Sequence, residues 1–269
     1  MNKGYTIRIK GQLVSLDKPL VMGILNCTPD SFFTGSRMQS EREIAERANE
    51  IITQGGDMID VGACSTRPGG AVVSEAEERD RLRHCLAIVR REHPDAIVSV
   101  DTFRPSVARM CVEEFGADMI NDVAEGEEPG MFETVAALRV PYVLMSVQPT
   151  LRESILMFAR KTQMLFQMGV SDVILDPGFG FGKTLDDNYA IFSQLEKFHE
   201  LALPLLVGIS RKSMIYRLLD ITPEQALNGT TALHAAALLK GADILRVHDV
   251  REAVETCRIM QKIREGCVN

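Results

Sequence analysis

Short apolar runs recur along the chain, each followed by a polar loop and then by a segment whose apolar residues return at helical spacing. The runs lie at 21–26, 58–62, 97–101, 119–122, 142–145, 173–176, 205–208 and 244–247. They are apolar on both faces, the pattern of strands in a buried parallel sheet. Between them stand helix signals. Ser40 with Glu43 reads as a capping box and Gly55-Gly56 as that helix's end. Ser74 with Glu77 opens a second helix, and Pro105 is placed to begin a third that Gly116 closes. A short helix is predicted over 131–139. Thr150 with Glu153 opens another, 184–201 follows from Thr184, Thr222-Pro223 with Gln225 opens the next, and Asp249 with Glu252 starts the last.

Eight runs alternating with helices predict an α/β chain folded as a (β/α)₈ TIM barrel. An open doubly wound sheet is the alternative, weakened because no G-x-G-x-x-G follows the first run. Residues 5–15 alternate with a period of two around Lys10-Gly11, which predicts an N-terminal β-hairpin closing the barrel bottom. No linker or low-complexity tract divides residues 1–269, so one domain is expected. The length of 269 residues suits such a barrel.

Charge and cysteine content narrow the function. A net charge of -7 disfavours nonspecific nucleic-acid binding, so positive charge for an anionic ligand must be gathered locally. The six cysteines form no CxxC and no zinc-ligand spacing, which predicts free thiols in a reducing cytoplasm. The first residues lack the apolar core of a signal peptide, and no apolar run reaches the ~18 residues of a membrane span, so no membrane association is expected.

Polar residues gather where the runs end. The first run ends in Asn26; Asp60 and Gly62 close the second; Asp101, Asn121-Asp122 and Asp176 close others. Ser210, Arg211, Lys212 and Ser213 follow the seventh, and Arg246 and His248 lie at the eighth. In a barrel these ends converge on the face that carries active sites. Asp101, Asn121 and Asp176 offer acceptors and an amide to a flat heterocycle rich in N–H donors. Lys212, Arg246 and His248 supply charge for an anion. Asn26 is a neutral oxygen donor suited to Mg²⁺ beside phosphate oxygens. Asp60 and Asp122 are expected to be structural. The loops CTPDSFFTGSR (27–37) and ACSTRPGGA (63–71) follow strands directly and carry the functional candidates Asp30 and Arg67; the first is long enough to act as a lid. GFGFGKT at 178–184 fails the phosphate-loop pattern because Pro177 stands where its first glycine belongs; it reads as a turn that lets backbone approach a ligand.

Taken together, MGILNCTPDSF, DVGACSTRPGG, SVDTFRP, MINDV, ILDPGFGFGKT, VGISRKS, NGTTA and LRVHDV resemble the dihydropteroate synthases over essentially the whole chain. The resemblance implies condensation of 6-hydroxymethyl-7,8-dihydropterin pyrophosphate with p-aminobenzoate in folate synthesis, with Mg²⁺ and in a homodimer. It implies that Asp101, Asn121, Asp176 and Lys212 hold the pterin ring. Met145 and Phe181 would line its pocket, and Gly208 would allow close approach. Arg246, which also touches the pterin, would bind the pyrophosphate with His248 and Asn26, and Asn26 would contact the metal. Thr66, Arg67, Pro68 and Ser213 would shape the p-aminobenzoate site, where sulfonamides compete. Asp30 would help assemble the closed site, and Asp30, Arg67, Lys212, Arg246 and His248 would form the catalytic set. Two departures stand out. LMSVQPT (144–150) replaces a pattern close to LMHMQG, so Ser146 stands where a His is expected, and Arg104 stands where Lys is frequent. The alternatives are a pterin-dependent methyltransferase, which has no use for TPDSF, STRPG or SRKS, and a non-catalytic pterin binder, which would be expected to lose Arg67, Lys212 or His248.

Overall fold

The computed structural model describes residues 4–27, 37–63 and 73–266. Asp30, Thr66, Arg67 and Pro68 lie outside the described residues, as do most of the two loops that carry them.

A hairpin, β1 (Thr6–Ile9) and β2 (Gln12–Ser15), precedes eight parallel strands: β3 (Leu20–Asn26), β4 (Met58–Gly62), β5 (Ile97–Asp101), β6 (Met119–Asp122), β7 (Tyr142–Met145), β8 (Val173–Asp176), β9 (Leu206–Val207) and β10 (Ile244–Val247). Their order is β8-β7-β6-β5-β4-β3-β10-β9, and a parallel bridge from Leu175 to Leu205 brings the two ends together. The result is the barrel that the alternation predicts, with the open sheet excluded.

Residues two apart on a strand share a face, and the barrel separates them cleanly. Outward residues such as Ile59, Val61, Val98, Val100, Ile120, Leu144, Leu175 and Val207 join the large core beneath the helices. Inward residues at the strand starts, Met22, Met58, Met119, Val143, Ile174, Leu206 and Ile244, form a second core plugged by Ile7, Ile9 and Leu16 of the hairpin segment. The apolar plug fills the bottom of the barrel. Two residues further along the same inward face, the side chains become Asp60, Asn121, Asp176 and Arg246, and the top is therefore polar.

Asp122 takes the other parity. It faces outward and is fully buried, accepting from the Tyr142 hydroxyl at 2.6 Å and the Ala124 amide at 2.7 Å. Its role is structural, as expected. Tyr142→Phe should destabilise the chain by about 1–3 kcal/mol, the cost of orphaning a buried acceptor, and leave steady-state kinetics unchanged. Urea unfolding beside a turnover assay checks this, and a kinetic defect would contradict it.

The helices are α1 (Arg37–Thr53), α2 (Glu75–Glu92), α3 (Pro105–Phe115), α4 (Met131–Leu138), α5 (Leu151–Gln167), α6 (Leu185–Ser193), α7 (Ser213–Leu219), α8 (Leu227–Leu239) and α9 (Val250–Gly266). Ser74 and Thr150 cap as read, and Gly116 closes α3 at φ 61°. Several boundaries differ. Helix α1 begins at Arg37, ahead of Ser40. Segment 184–201 breaks into α6 and a 3₁₀ stretch from Leu195 to Leu201. Thr222 with Gln225 forms its capping box around a single 3₁₀ turn, and α8 starts after it. Helix α9 starts directly after Asp249 as read, although that carboxylate is spent on Arg211, at 2.9 and 2.8 Å. No capping signal marks helix α7, whose start is occupied by the SRKS motif. Among the described residues, no helix is long and apolar enough to cross a membrane.

Candidate active site

The register of the parallel sheet brings the predicted residues to one level. Asn26 pairs with Gly62, Gly62 with Asp101, and Asp101 with Asn121; across the barrel Met145 pairs with Asp176. These positions lie at or within one residue of the ends of their strands, so their side chains meet at the mouth of the barrel.

Arg246 organises the centre. Its Nε donates to Asp60 Oδ2 at 2.6 Å and one terminal nitrogen donates to Asp101 Oδ2 at 2.9 Å. Asn121 Nδ2 donates to the same Asp60 oxygen at 3.1 Å. Asp60 is fully buried, one step below Asp101 and Asn121 on the inward face. It is structural, as expected, but what it holds in place is the site itself. An ionised carboxylate only accepts, so the Asn121 amide must present nitrogen to Asp60 and oxygen to the cavity. Asn121 Oδ1 has no hydrogen-bond partner among the described residues. A buried acceptor left open costs about 1–3 kcal/mol, and a ligand N–H would recover it.

Opposite stands Lys212, the residue that leads into α7. Its ammonium donates to the Phe179 carbonyl and lies 4.5 Å from the centre of the Phe181 ring. Asp176 accepts from the Gly178 amide at 2.8 Å through Oδ1. Met145 is buried at the end of β7. A β-carbon at Gly208 would lie 3.8 Å from Arg246 Cβ and 3.9 Å from Lys212 Nζ, so any longer side chain there would fill the space between the two cations. Ser213 opens α7 beside Lys212.

Burial tunes these charges. It raises Asp101 to about 7, with Arg246 opposing and Asp60 adding to the rise. It raises Asp176 as well, against the pull of Lys212. Lys212 is lowered to about 8, again chiefly by burial, and Lys183 likewise. Asp101, Lys212 and Lys183 therefore change charge close to neutrality, as groups at functional sites often do.

At the rim, Asn26 is exposed at the end of β3. A β-carbon at Gly62 would lie 3.7 Å from both Asn26 Oδ1 and Asp101 Oδ2, so the glycine keeps the space between these oxygens open. His248 is held through its backbone: its amide donates to Ser210 Oγ at 3.1 Å, and its carbonyl accepts from Arg47 at 2.6 Å. Arg47 also donates to the Ile24 carbonyl at 3.1 Å, tying the ends of β3 and β10 together from α1. Nothing in the sequence marks Arg47, one arginine on an amphipathic helix. Arg211, in the left-handed region at φ 53°, is committed to Asp249 and to carbonyls of the 223–224 turn; it braces the loop that carries Lys212.

The anticipated departures have local solutions. Ser146 Oγ lies 3.0 Å from Ser154 Oγ and accepts from the Gln148 amide at 3.2 Å, which fixes the β7 loop where a His was expected. Arg104 pairs with buried Glu78 and donates to the Val73 carbonyl at 2.8 Å.

Comparison with known proteins gives the family and agrees with the fold. A family model described as pterin binding enzyme matches residues 22–248. The dihydropteroate synthase of Escherichia coli K12 is 40% identical over 267 residues, covering 94% of each chain. The Xanthomonas albilineans dihydropteroate synthase solved with 4-aminobenzoic acid superposes with a TM-score of 0.88 at 36% identity, covering 96% of this chain and 98% of that one. The Yersinia pestis enzyme solved with a sulfonamide drug complex gives 0.86 at 37% identity, covering 97% and 100%.

Proposed function

The chain belongs to the dihydropteroate synthase family of pterin-binding enzymes, and from that premise we propose how its barrel mouth joins 6-hydroxymethyl-7,8-dihydropterin pyrophosphate to p-aminobenzoate. It is an enzyme of the class that transfers alkyl or aryl groups, acting in folate synthesis. The observation that carries the residue assignment is the ring of Asp101, Asn121, Asp176 and Lys212 at the barrel mouth, in which Asp60 and Arg246 brace Asn121 and Asp101 while the 178–179 backbone engages Asp176 and Lys212.

Asn121 Oδ1 and the carboxylates of Asp101 and Asp176 accept from the N–H edge of the pterin, and Lys212 donates to its acceptors. Phe181 and Met145 bound the ring, while Gly208 leaves the wall thin. The bond between the pterin CH₂ carbon and the pyrophosphate oxygen breaks, and its electron pair leaves with the pyrophosphate. Arg246 and His248 stabilise that negative charge, the kind of contribution that usually dominates. Asp101 and Asp176 favour the positive charge left on the pterin, so the path is SN1-like. The amine nitrogen of p-aminobenzoate then bonds to the CH₂ carbon and loses a proton. Thr66, Arg67, Pro68 and Ser213 are assigned to p-aminobenzoate and Asp30 to site closure by family resemblance.

Asn26 fits a Mg²⁺ role by its donor chemistry: an exposed neutral oxygen facing the space that Gly62 keeps open. No cluster of three His, Cys, Asp or Glu ligands occurs among the described residues. A magnesium ion here would be held by Asn26 with water and substrate phosphate oxygens, and when bound it would neutralise charge on the departing pyrophosphate. We also infer a homodimer in the cytoplasm. Exposed Leu218, Leu239, Ile259 and Ile263 on neighbouring helices α7, α8 and α9 offer an apolar surface, and the described cysteines are free.

The test is dihydropteroate formation from the two substrates, with a sulfonamide raising the KM for p-aminobenzoate and leaving that for the pterin substrate alone. No product would refute the reading. The pterin methyltransferase alternative predicts turnover of methyltetrahydrofolate in its place.

The pH profile follows from the charges. Pterin N–H groups need the ionised Asp101, so kcat/KM for the pterin substrate should rise with pH through about 7. It should fall above about 8, where Lys212 and Lys183 lose their charge. kcat/KM reports groups of the free enzyme. Asp101→Asn should remove the acid limb and lower the maximum by about tenfold to a hundredfold, the worth of a hydrogen bond to a charged group. An unchanged acid limb in that variant would remove Asp101 from the assignment.

A further inference from the structure

The loop that carries Phe181 is intrinsically loose. Gly178, Gly180 and Gly182 all sit in the left-handed region, at φ 67°, 82° and 62°. Glycine there avoids steric strain, but each is more costly to order than alanine by about 0.5–1 kcal/mol. Within it one backbone bond, from the Phe181 amide to the Gly178 carbonyl at 3.1 Å, closes a turn, and side chains hold the rest. Two holds come from its own strand–helix unit: Asp176 takes the Gly178 amide and Asn188 takes the Gly180 amide, each at 2.8 Å.

The third hold is Lys183. Its ammonium donates to the Ser146 carbonyl at 2.8 Å, the Gly178 carbonyl at 3.1 Å and the Phe181 carbonyl at 3.2 Å. Three carbonyls match the three donors of an ammonium group. Two of these acceptors lie in the glycine loop, and the other lies at the end of the neighbouring strand β7. That strand end is itself fixed: Glu125 accepts from the Val147 amide at 2.6 Å and from Gln148, while Ser146 is tied to Ser154. The two backbones run so close that a β-carbon at Gly178 would collide with the Ser146 carbonyl.

We propose that Lys183 is a positioning residue for the pterin: it clamps the Phe181 loop to the end of β7 and so sets the placement of Phe181 and of the Phe179 carbonyl that Lys212 engages. The clamp does not touch the reacting atoms. Its effect reaches the pocket through two partners of Lys212, the Phe179 carbonyl and the Phe181 ring. Loss of the clamp lets the loop relax from β7, which weakens pterin binding and leaves the p-aminobenzoate side largely intact.

This inference rests on the functional reading above, and wild-type turnover in the same assay separates failure of that reading from failure of this one. In K183M, which keeps the stem and removes the donors, the KM for the pterin substrate should rise about tenfold or more, the loss of one charged hydrogen bond's worth of affinity. The kcat should stay within about threefold and the KM for p-aminobenzoate within about twofold. K183R, which keeps cationic donors, should recover part of the loss. If K183M does not fold, K183Q, with two donors instead of three, should show the same selective rise at smaller size. A folded variant with an unchanged pterin KM, or with equal rises in both KM values, would overturn the proposal.

Discussion

Arg246→Ala is expected to lower kcat by about 100- to 1,000-fold, the usual effect of removing one preorganised donor from a developing anion, while pterin binding survives in part. The guanidinium is delivered by the end of β10 into the middle of the ring and is oriented from two sides by Asp60 and Asp101. It is therefore fixed before substrate arrives, so little reorganisation is needed as charge moves onto the leaving pyrophosphate. Asp101, Asn121, Asp176 and Lys212 remain to hold the ring. The substitution also leaves two buried carboxylates facing each other without their cation, so the folded fraction must be measured beside the kinetics. Arg246→Lys keeps the charge and loses the planar fork; it should fall between the alanine variant and the wild type. A normal kcat in folded Arg246→Ala would remove Arg246 from the chemical step.

Asp60→Ala is expected to be the most destabilising single change in the site, by about 3–5 kcal/mol, because it removes a fully buried carboxylate, strips the largely buried Arg246 guanidinium of one partner and orphans the Asn121 amide. For a chain of this size that lowers the melting temperature by on the order of 10 °C. Turnover should fall as well, since Arg246 and Asn121 lose their common anchor. Asp60→Asn, which keeps the shape and a hydrogen-bonding oxygen, should cost less. Calorimetry or urea unfolding checks the first expectation. A loss below about 1 kcal/mol would mean that Asp60 is replaceable and that Asp101 alone orients Arg246.

The chain shows its strands openly because an inward and an outward face are both apolar, and it shows its active face openly because the inward apolar series stops abruptly. Met58 gives way to Asp60, Met119 to Asn121, Ile174 to Asp176 and Ile244 to Arg246 within two residues. That switch is a local pattern and can be read without coordinates. What holds the site is not local. Asp60 and Arg246 are 186 residues apart, and Arg47 and His248 are 201 apart. Closure of the barrel brings them together, and no spacing rule announces which arginine finds which carboxylate. Asp60 could be suspected only as structural, and Arg47 not at all. Lys183 was visible as part of GFGFGKT but resembled a failed phosphate loop; its acceptors are backbone carbonyls, which every residue has. A helix boundary differs at Thr222, where the capping box closes a 3₁₀ turn, whereas the last helix starts directly after Asp249 as read, with that carboxylate bound to Arg211.

The most direct test of the central claim, that the polar ring at the strand ends binds a pterin pyrophosphate and releases its pyrophosphate to an arylamine, is pyrophosphate release from 6-hydroxymethyl-7,8-dihydropterin pyrophosphate with Mg²⁺, with and without p-aminobenzoate. Release that depends on p-aminobenzoate and matches dihydropteroate mole for mole is the predicted result. Binding of the pterin without release would contradict the catalytic assignment of Arg246 and His248, and no binding of the pterin would contradict the assignment of the ring itself.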